Sequence, residues 1–229
     1  SIQALVHKAA AERLCTAWGM ARLPDYGEAA ELRVYMEKDR AQILLDLSGE
    51  SLFKRGYRSE SGAAPLRETS AAAMLLLSGW KRKYPLYDPF CGSGTIAVEA
   101  ALYAWDAAPG LGRRFALQDL ALADGAAEKA VREELAAKVD FTRLVRIYGS
   151  DSDVRSVSIA ASNARRAYEL AQGRSPGRGI RLEKGEAALP RFQVLDMRKA
   201  AAPESEEGYL ITNPPYGERL GDLAEAERT

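Results

Sequence analysis

Two short segments hold the residue types from which a reaction could be built: Asp88-Pro89-Phe90-Cys91-Gly92-Ser93-Gly94-Thr95 and Asn213-Pro214-Pro215-Tyr216-Gly217. Each follows an apolar run that reads as a buried strand. In the first, Gly92 and Gly94 let the backbone approach a ligand where a strand feeds a helix amino terminus. The segment has neither the G-x-G-x-x-G pattern nor a P-loop lysine, so pyrophosphate and triphosphate are not the obvious ligands. Asp88 would repel phosphate yet suits a cationic amino acid moiety. S-adenosylmethionine carries an ammonium, a sulfonium and no phosphate, and is the expected cofactor. Its expected contacts here are Asp88, Phe90, Cys91, Gly92, Ser93, Gly94 and Thr95.

Two further acids are expected at strand ends. Asp151, in Tyr148-Gly149-Ser150-Asp151, is placed to accept both hydroxyl protons of a ribose diol. Asp153 serves either beside it or as a helix N-cap. Asp196, in Val194-Leu195-Asp196-Met197, could accept an adenine amino proton or lie in a surface loop.

Asn213-Pro214-Pro215-Tyr216 answers the needs of an exocyclic amine on a flat base. Such an amine is a weak nucleophile because its lone pair is delocalised into the ring. The Asn213 side-chain oxygen and the Pro214 carbonyl can accept its hydrogens, the prolines restrict the backbone, and Tyr216 can stack on the base. Stacking of this kind contributes ~1–3 kcal/mol. Asn213, Pro214, Pro215 and Tyr216 are the expected catalytic residues. Cys91 raises a competing chemistry, nucleophilic methylation at cytosine C5, but no neighbouring residue supplies a basic partner. His7, the single histidine, lies far from both segments, and two distant cysteines give no metal-ligand spacing.

The positioning elements follow from periodicity. Apolar residues at helical spacing from Ile2 to Leu14 predict an amphipathic helix ending near Trp18-Gly19, and Leu32 to Leu47 reads as a hairpin turning at Lys38-Asp39-Arg40. A helix and a ribbon are too little for a core of their own. Gly, Ser and Arg dominate Ser48 to Pro65, the expected connection between domains. A helix (Glu68 to Trp80), a strand (Tyr84 to Asp88) and a helix (Thr95 to Ala107) come next. An insertion follows at Pro109 to Asp140, carrying a charged helix. A strand (Leu144 to Gly149), a helix (Val154 to Ala171) and strands at Phe192 to Leu195 and Tyr209 to Thr212 complete the pattern. Such alternation implies a Rossmann-like α/β fold, a mainly parallel sheet with helices on both faces.

Composition limits partners. The 229 residues carry 32 basic and 32 acidic side chains, which excludes binding to nucleic acid by bulk charge and leaves local patches. Those are Lys54-Arg55 with Arg58, Lys81-Arg82-Lys83, Arg113-Arg114, Arg165-Arg166 and the loop of Arg174, Arg178 and Arg181. Single-sign runs commonly lie on solvated faces. No apolar stretch approaches the ~20 residues of a membrane helix. The start of the chain lacks secretory features and the cysteines are few, so a reducing cytoplasm is expected.

Together these residues resemble the class I S-adenosylmethionine-dependent methyltransferases. More narrowly, they resemble bacterial THUMP-domain enzymes that methylate guanine N2 in 23S ribosomal RNA. The resemblance runs nearly end to end; Gly49 to Arg58 is its most specific part, and Ala64 to Thr69 is similar to the entry into the catalytic domain. It implies that residues 1–48 are the carboxyl-terminal part of an α+β THUMP-like RNA-binding domain, 49–65 a linker, and 66–229 a class I methyltransferase domain. That domain's last strands are expected to be absent, leaving Tyr209 to Thr212 as a bare sheet edge. RNA, specifically 23S rRNA, is the implied partner, with no membrane and no metal. Two alternatives are an adenine-N6 DNA methyltransferase, since N-P-P-Y suits any exocyclic amine, and a non-catalytic RNA-binding module of the same fold.

Overall fold

The computed structural model describes residues 1–24, 26–27, 29–58, 65–176, 189–199 and 207–215. Helix α1 (Ile2–Trp18) opens at Ser1, whose hydroxyl accepts from the Ala4 amide, and closes at Gly19 with φ of 65°. Strands β1 (Leu32–Glu37) and β2 (Arg40–Leu45) pair antiparallel with Glu37 opposite Arg40. The two turn residues, Lys38 and Asp39, both take positive φ, as a tight hairpin requires. No residue of α1, β1 or β2 is buried. The amphipathic helix therefore exists as an element, but Ile2 and Leu5 remain 70% exposed and it has no described surface to cover.

The expected connection at 48–58 is a packed strap. Tyr57 is 1% exposed and donates its hydroxyl to Glu99 at 3.1 Å, while Arg166 Nε donates to the Tyr57 carbonyl at 2.8 Å. Arg113, in the insertion, donates to the carbonyls of Ser48 and Ser51, each at 3.0 Å, and to that of Glu50. A glycine-rich, aperiodic segment is thus held by side chains that come from elsewhere in the chain.

Four parallel strands form the main sheet: β3 (Leu86–Asp88), β4 (Ile147–Asp151), β5 (Arg191–Val194) and β6 (Tyr209–Leu210), ordered β5-β4-β3-β6. Helix α3 (Thr95–Ala104) contacts both α2 (Glu68–Leu77) and α5 (Val154–Ala171), and α3 and α5 contact the strands; α4 (Gly125–Ala137) belongs to the insertion. Asp153 caps α5 by accepting from the Arg155 and Ser156 amides, and Asp124 caps α4 in the same way. Helix α4 buries no residue and is laced by ion pairs such as Arg132 to Glu128 at 2.6 Å.

Because α3 touches both α2 and α5, and α3 and α5 both contact the strands, these three helices make one layer on one face. Helices on both faces were expected; the second layer is not among the described residues. The core lies under that layer, where Leu86 and Ile147 meet Val98 of α3 and Leu75 of α2. Trp105, Phe141 and Tyr168 pack edge to face at its far end. Strand β6 has β3 as its one described neighbour.

Candidate active site

Strand order places the site. From β3 the chain moves one way to β4 and β5, then returns to lay β6 on the opposite side of β3. Ligands of open α/β sheets bind at the carboxyl ends of strands where the order reverses. At that point Leu86 pairs with Tyr209 and Tyr87 with Leu210, so Asp88 emerges beside Ile211 and Thr212. The Thr212 hydroxyl donates to Asp88 Oδ1 at 2.6 Å, joining segments 124 positions apart.

The loop after β3 is held on three sides. Its Gly92 and Gly94 have φ of 49° and 78°, the left-handed region that glycine enters without steric cost. A Cβ at Gly94 would lie 2.8 Å from the Ala160 Cβ, so helix α5 also demands glycine there; at Gly92 the same atom would meet nothing within 4 Å, leaving open space for a ligand. Ser93 is fixed from below, where buried Asn163 donates to its carbonyl at 3.0 Å. From the strap, Arg58 donates to Ser93 Oγ and Thr95 Oγ1, both at 3.0 Å, and to Glu68 Oε1 at 2.9 Å. From β4, Asp151 Oδ2 accepts the Gly92 amide at 2.9 Å.

Electrostatics separate the roles. Asp88 is 1% exposed, and burial pushes its carboxyl up to about 6, opposed by the hydrogen bonds from Thr212 and the Phe90 amide. Both of those bonds go to Oδ1, and Oδ2 receives none among the described residues. A cationic group would supply what that oxygen lacks. Burial, and then the charges of Asp88 and Asp151, raise the Cys91 thiol far above its ordinary range, so it stays protonated and is no nucleophile.

One cavity of about 350 Å3 collects most of the expected residues. Asp88, Phe90, Cys91, Gly92, Ser93 and Thr95 line it from the loop, and Asp151 from the next strand. Asn213 and Pro215 line it from the second motif. Its volume falls in the range of small-ligand sites, ~300–1,000 Å3. A buried carboxylate with one open oxygen, a second acid at the neighbouring strand end and a backbone open above Gly92 together fit a ligand with a cation and a diol.

Three expected residues are not on its wall. Gly94 lies behind the loop as the first cap of α3, and Pro214 is exposed. Asp196 is bound to Arg198, whose Nε donates to Oδ1 at 3.0 Å, and this pair holds the carboxyl down at about 2. Tyr216 and Gly217 lie outside the described residues. Sequence reasoning did not find Thr212, Arg58 or Asn163 as parts of the site. Only the position of Thr212, directly before Asn213, offered a local sign.

The basic clusters are largely used within the fold. Arg55 faces Glu99 at 3.5 Å, Arg82 pairs with Asp106 at 2.6 Å, and Arg113 and Arg166 tie the strap as described. Arg178 and Arg181 lie outside the described residues. Cys15 and Cys91 are free, no acid, histidine or cysteine cluster of metal-binding type occurs among the described residues, and His7 is exposed. No described helix is long and apolar enough to cross a membrane.

The chain is 44% identical over 188 residues to the ribosomal RNA large subunit methyltransferase K/L of Shewanella baltica (strain OS195), covering 80% of the chain and 24% of that protein. The structure of SMU.472 complexed with SAH matches 99% of the chain and 55% of its own, with 34% identity and a TM-score of 0.83. A structure described as a "predicted N6-adenine-specific DNA methylase" from Listeria monocytogenes str. 4b F2365 matches with the same identity, coverage and TM-score. The chain thus spans about half or less of the length of each of these relatives. The RMKL-like methyltransferase domain model matches residues 55–172, from the strap to the end of α5, and the chain belongs to that family.

Proposed function

We propose that this chain is the cofactor-binding and acceptor-binding part of an S-adenosylmethionine-dependent RNA methyltransferase that modifies guanine N2 in 23S rRNA. The observation that carries the reading is the Thr212 to Asp88 hydrogen bond, which holds Asn213 and the glycine loop on one cavity.

S-adenosylmethionine is the cofactor, and when bound it supplies an electrophilic methyl group on its sulfonium. Asp88 Oδ2 takes a cationic group and the Gly92 backbone lets the ligand approach. Asp151 uses Oδ1 and Oδ2 on the Asp153 and Gly92 amides, each at 2.9 Å, and offers its remaining lone pairs to the ribose diol. Asp196 is assigned the adenine amine, sharing its oxygens with Arg198. Asn213 Oδ1 and the Pro214 carbonyl accept the hydrogens of the target amine and turn its lone pair toward the methyl group, while Tyr216 stacks on the base. No strong base is needed, because the amine proton becomes acidic once the bond to carbon forms. Holding the amine in line can contribute up to ~7–11 kcal/mol.

Residues 1–48 are read as part of a THUMP-like RNA-binding domain, 49–65 as the linker and 66–229 as the methyltransferase domain. The exposed apolar side chains of α1 and the hairpin support this division, since such elements need further chain to cover them. Among relatives, the ribosomal RNA name supports RNA, whereas the name given to the Listeria protein favours adenine N6 in DNA, which N-P-P-Y serves equally well. Labelled methyl transfer by the full-length protein to unmodified rRNA, followed by mass spectrometry of the nucleoside, decides between them. N2-methylguanosine is expected, and Asn213→Ala should lower transfer by at least a hundredfold, on the order of the cost of one transition-state contact. Transfer that survives this change refutes the assignment.

A further inference from the structure

A second cavity, of about 510 Å3, lies between the strap and the amino terminus of α2. It is larger than the cofactor cavity, and Pro65 and Leu66 form a wall common to both. Nothing in the proposed methyl transfer uses it. We propose that it is the subsite for a nucleotide of the RNA strand next to the one being methylated, with Phe53 stacking on the base and Arg67 and Lys54 holding phosphate. This subsite rests on the reading of the chain as an RNA methyltransferase.

The lining has the chemistry of single-strand recognition. Phe53 is half-buried, and the Arg67 guanidinium carbon stands 5.3 Å from its ring centroid. The guanidinium thus lies over the ring, and aromatic rings and guanidinium planes of this kind are the surfaces on which unpaired bases stack. Four cations line the cavity, Lys54, Arg55, Arg58 and Arg67, against two carboxylates, Glu50 and Glu68. These cations divide into two sets.

Arg55 and Arg58 point inward and are consumed by buried carboxylates, Glu99 and Glu68. They shape the wall. Arg67 contacts an aromatic ring, and Lys54 is paired with Glu50 at 2.8 Å with both side chains more than half exposed. An exposed pair of that kind is weakly held and can exchange its carboxylate for a phosphate. The common wall then decides which polyanion fits. A strand that places one base against Asn213 and runs on past Pro65 and Leu66 meets the basic, aromatic cavity there. Rigid duplex DNA keeps successive bases stacked and cannot deliver one to each cavity, whereas a single strand can splay them.

The test is fluorescence anisotropy of a labelled single-stranded oligoribonucleotide of mixed sequence, titrated with the full-length protein, with melting temperatures as the control for folding. Phe53→Ala should weaken binding about tenfold, as removal of a stacking platform does, and Phe53→Tyr should retain it. Arg67→Ala should weaken binding and flatten the dependence of log affinity on log salt by about 0.7, one phosphate contact to a single strand. Native affinity and native salt slope in Arg67→Ala, or no RNA binding by the native protein, overturns the subsite; so does native affinity in a folded Phe53→Ala. Methyl transfer by Asn213→Ala is read separately. Its loss alongside unaltered binding by the Phe53 and Arg67 variants sinks the subsite and leaves the methyltransferase reading standing, whereas undiminished transfer alongside weakened binding sinks the methyltransferase reading and, with it, the assignment of this RNA-binding cavity as a subsite.

Discussion

Thr212 donates its hydroxyl to Asp88 Oδ1 at 2.6 Å, so the last described strand and the cofactor loop share one hydrogen bond at the point where the sheet reverses. A hydroxyl on a nearly buried carboxylate favours the charged form and fixes where its second oxygen points. Thr212→Val keeps the shape and removes the donor. The expected outcome is a loss of about 1–3 kcal/mol in stability, with weaker S-adenosylmethionine binding, while Thr212→Ser retains both. Denaturant unfolding and calorimetric titration measure the two effects; native cofactor affinity in the valine variant contradicts the role given to this bond.

Asp88 predicts how binding responds to pH. Its folded carboxyl is raised to about 6, chiefly by burial. For stability, a raised carboxyl favours the fold below its ordinary range, and that contribution is lost as pH rises through about 6. For binding the sign is opposite, because an ammonium pairs with the carboxylate form. Cofactor affinity should therefore fall as pH drops below about 6, and binding near that pH should release a proton. Calorimetry in two buffers of different ionisation heat counts the proton, and Asp88→Asn should bind weakly and release none.

Arg58 holds the cofactor loop through Ser93 and Thr95 and α2 through Glu68, and it also donates to the Leu66 carbonyl at 3.1 Å. The Glu68 side chain is 5% exposed, so Arg58→Ala strands a buried charge at a cost of about 3–5 kcal/mol. Arg58→Lys restores the charge but not the planar fork that reaches four acceptors. Its melting temperature should recover most of the loss while cofactor affinity stays reduced. Equal recovery of both would leave Arg58 a prop for the fold, with no hold on the loop.

The limits of sequence reading follow from which contacts are local. Helix α5 was legible to the residue because its apolar spacing, Asp153 cap and length are all written within it. The strap at 48–58 was not, since Tyr57 and Arg58 take their roles from Glu99, Ser93 and Thr95, and no period marks a segment held from outside. The acids at strand ends were expected from type and position, and that logic had no means of seeing that Asp196 is also bound by Arg198. Thr212 and Asn163 reach partners 124 and 70 positions away, and such pairings depend on strand order, which local pattern does not encode.

Glu99 gives a prediction about stability alone. It is buried under the strap, accepting from the Tyr57 hydroxyl at 3.1 Å and facing Arg55 at 3.5 Å. Burial pushes its carboxyl up to about 7, with Arg55 and Tyr57 acting in the opposite direction. A folded carboxyl raised above its unfolded value stabilises the fold fully only below the ordinary range, and this stability drains away as pH rises through about 7. Glu99→Gln keeps an acceptor for Tyr57 and never ionises. The variant and native protein should thus have similar stability near pH 4.5, and the variant should gain on the native protein as pH rises to 8. A raised value of about 7 against an ordinary 4.5 corresponds to about 3 kcal/mol at the upper end. Taking the difference between the two proteins removes the contribution of Asp88, which titrates in both. Denaturant unfolding at a series of pH values reads that difference directly; a gap that stays constant with pH means that Glu99 keeps its charge throughout, stabilised by Arg55 despite burial.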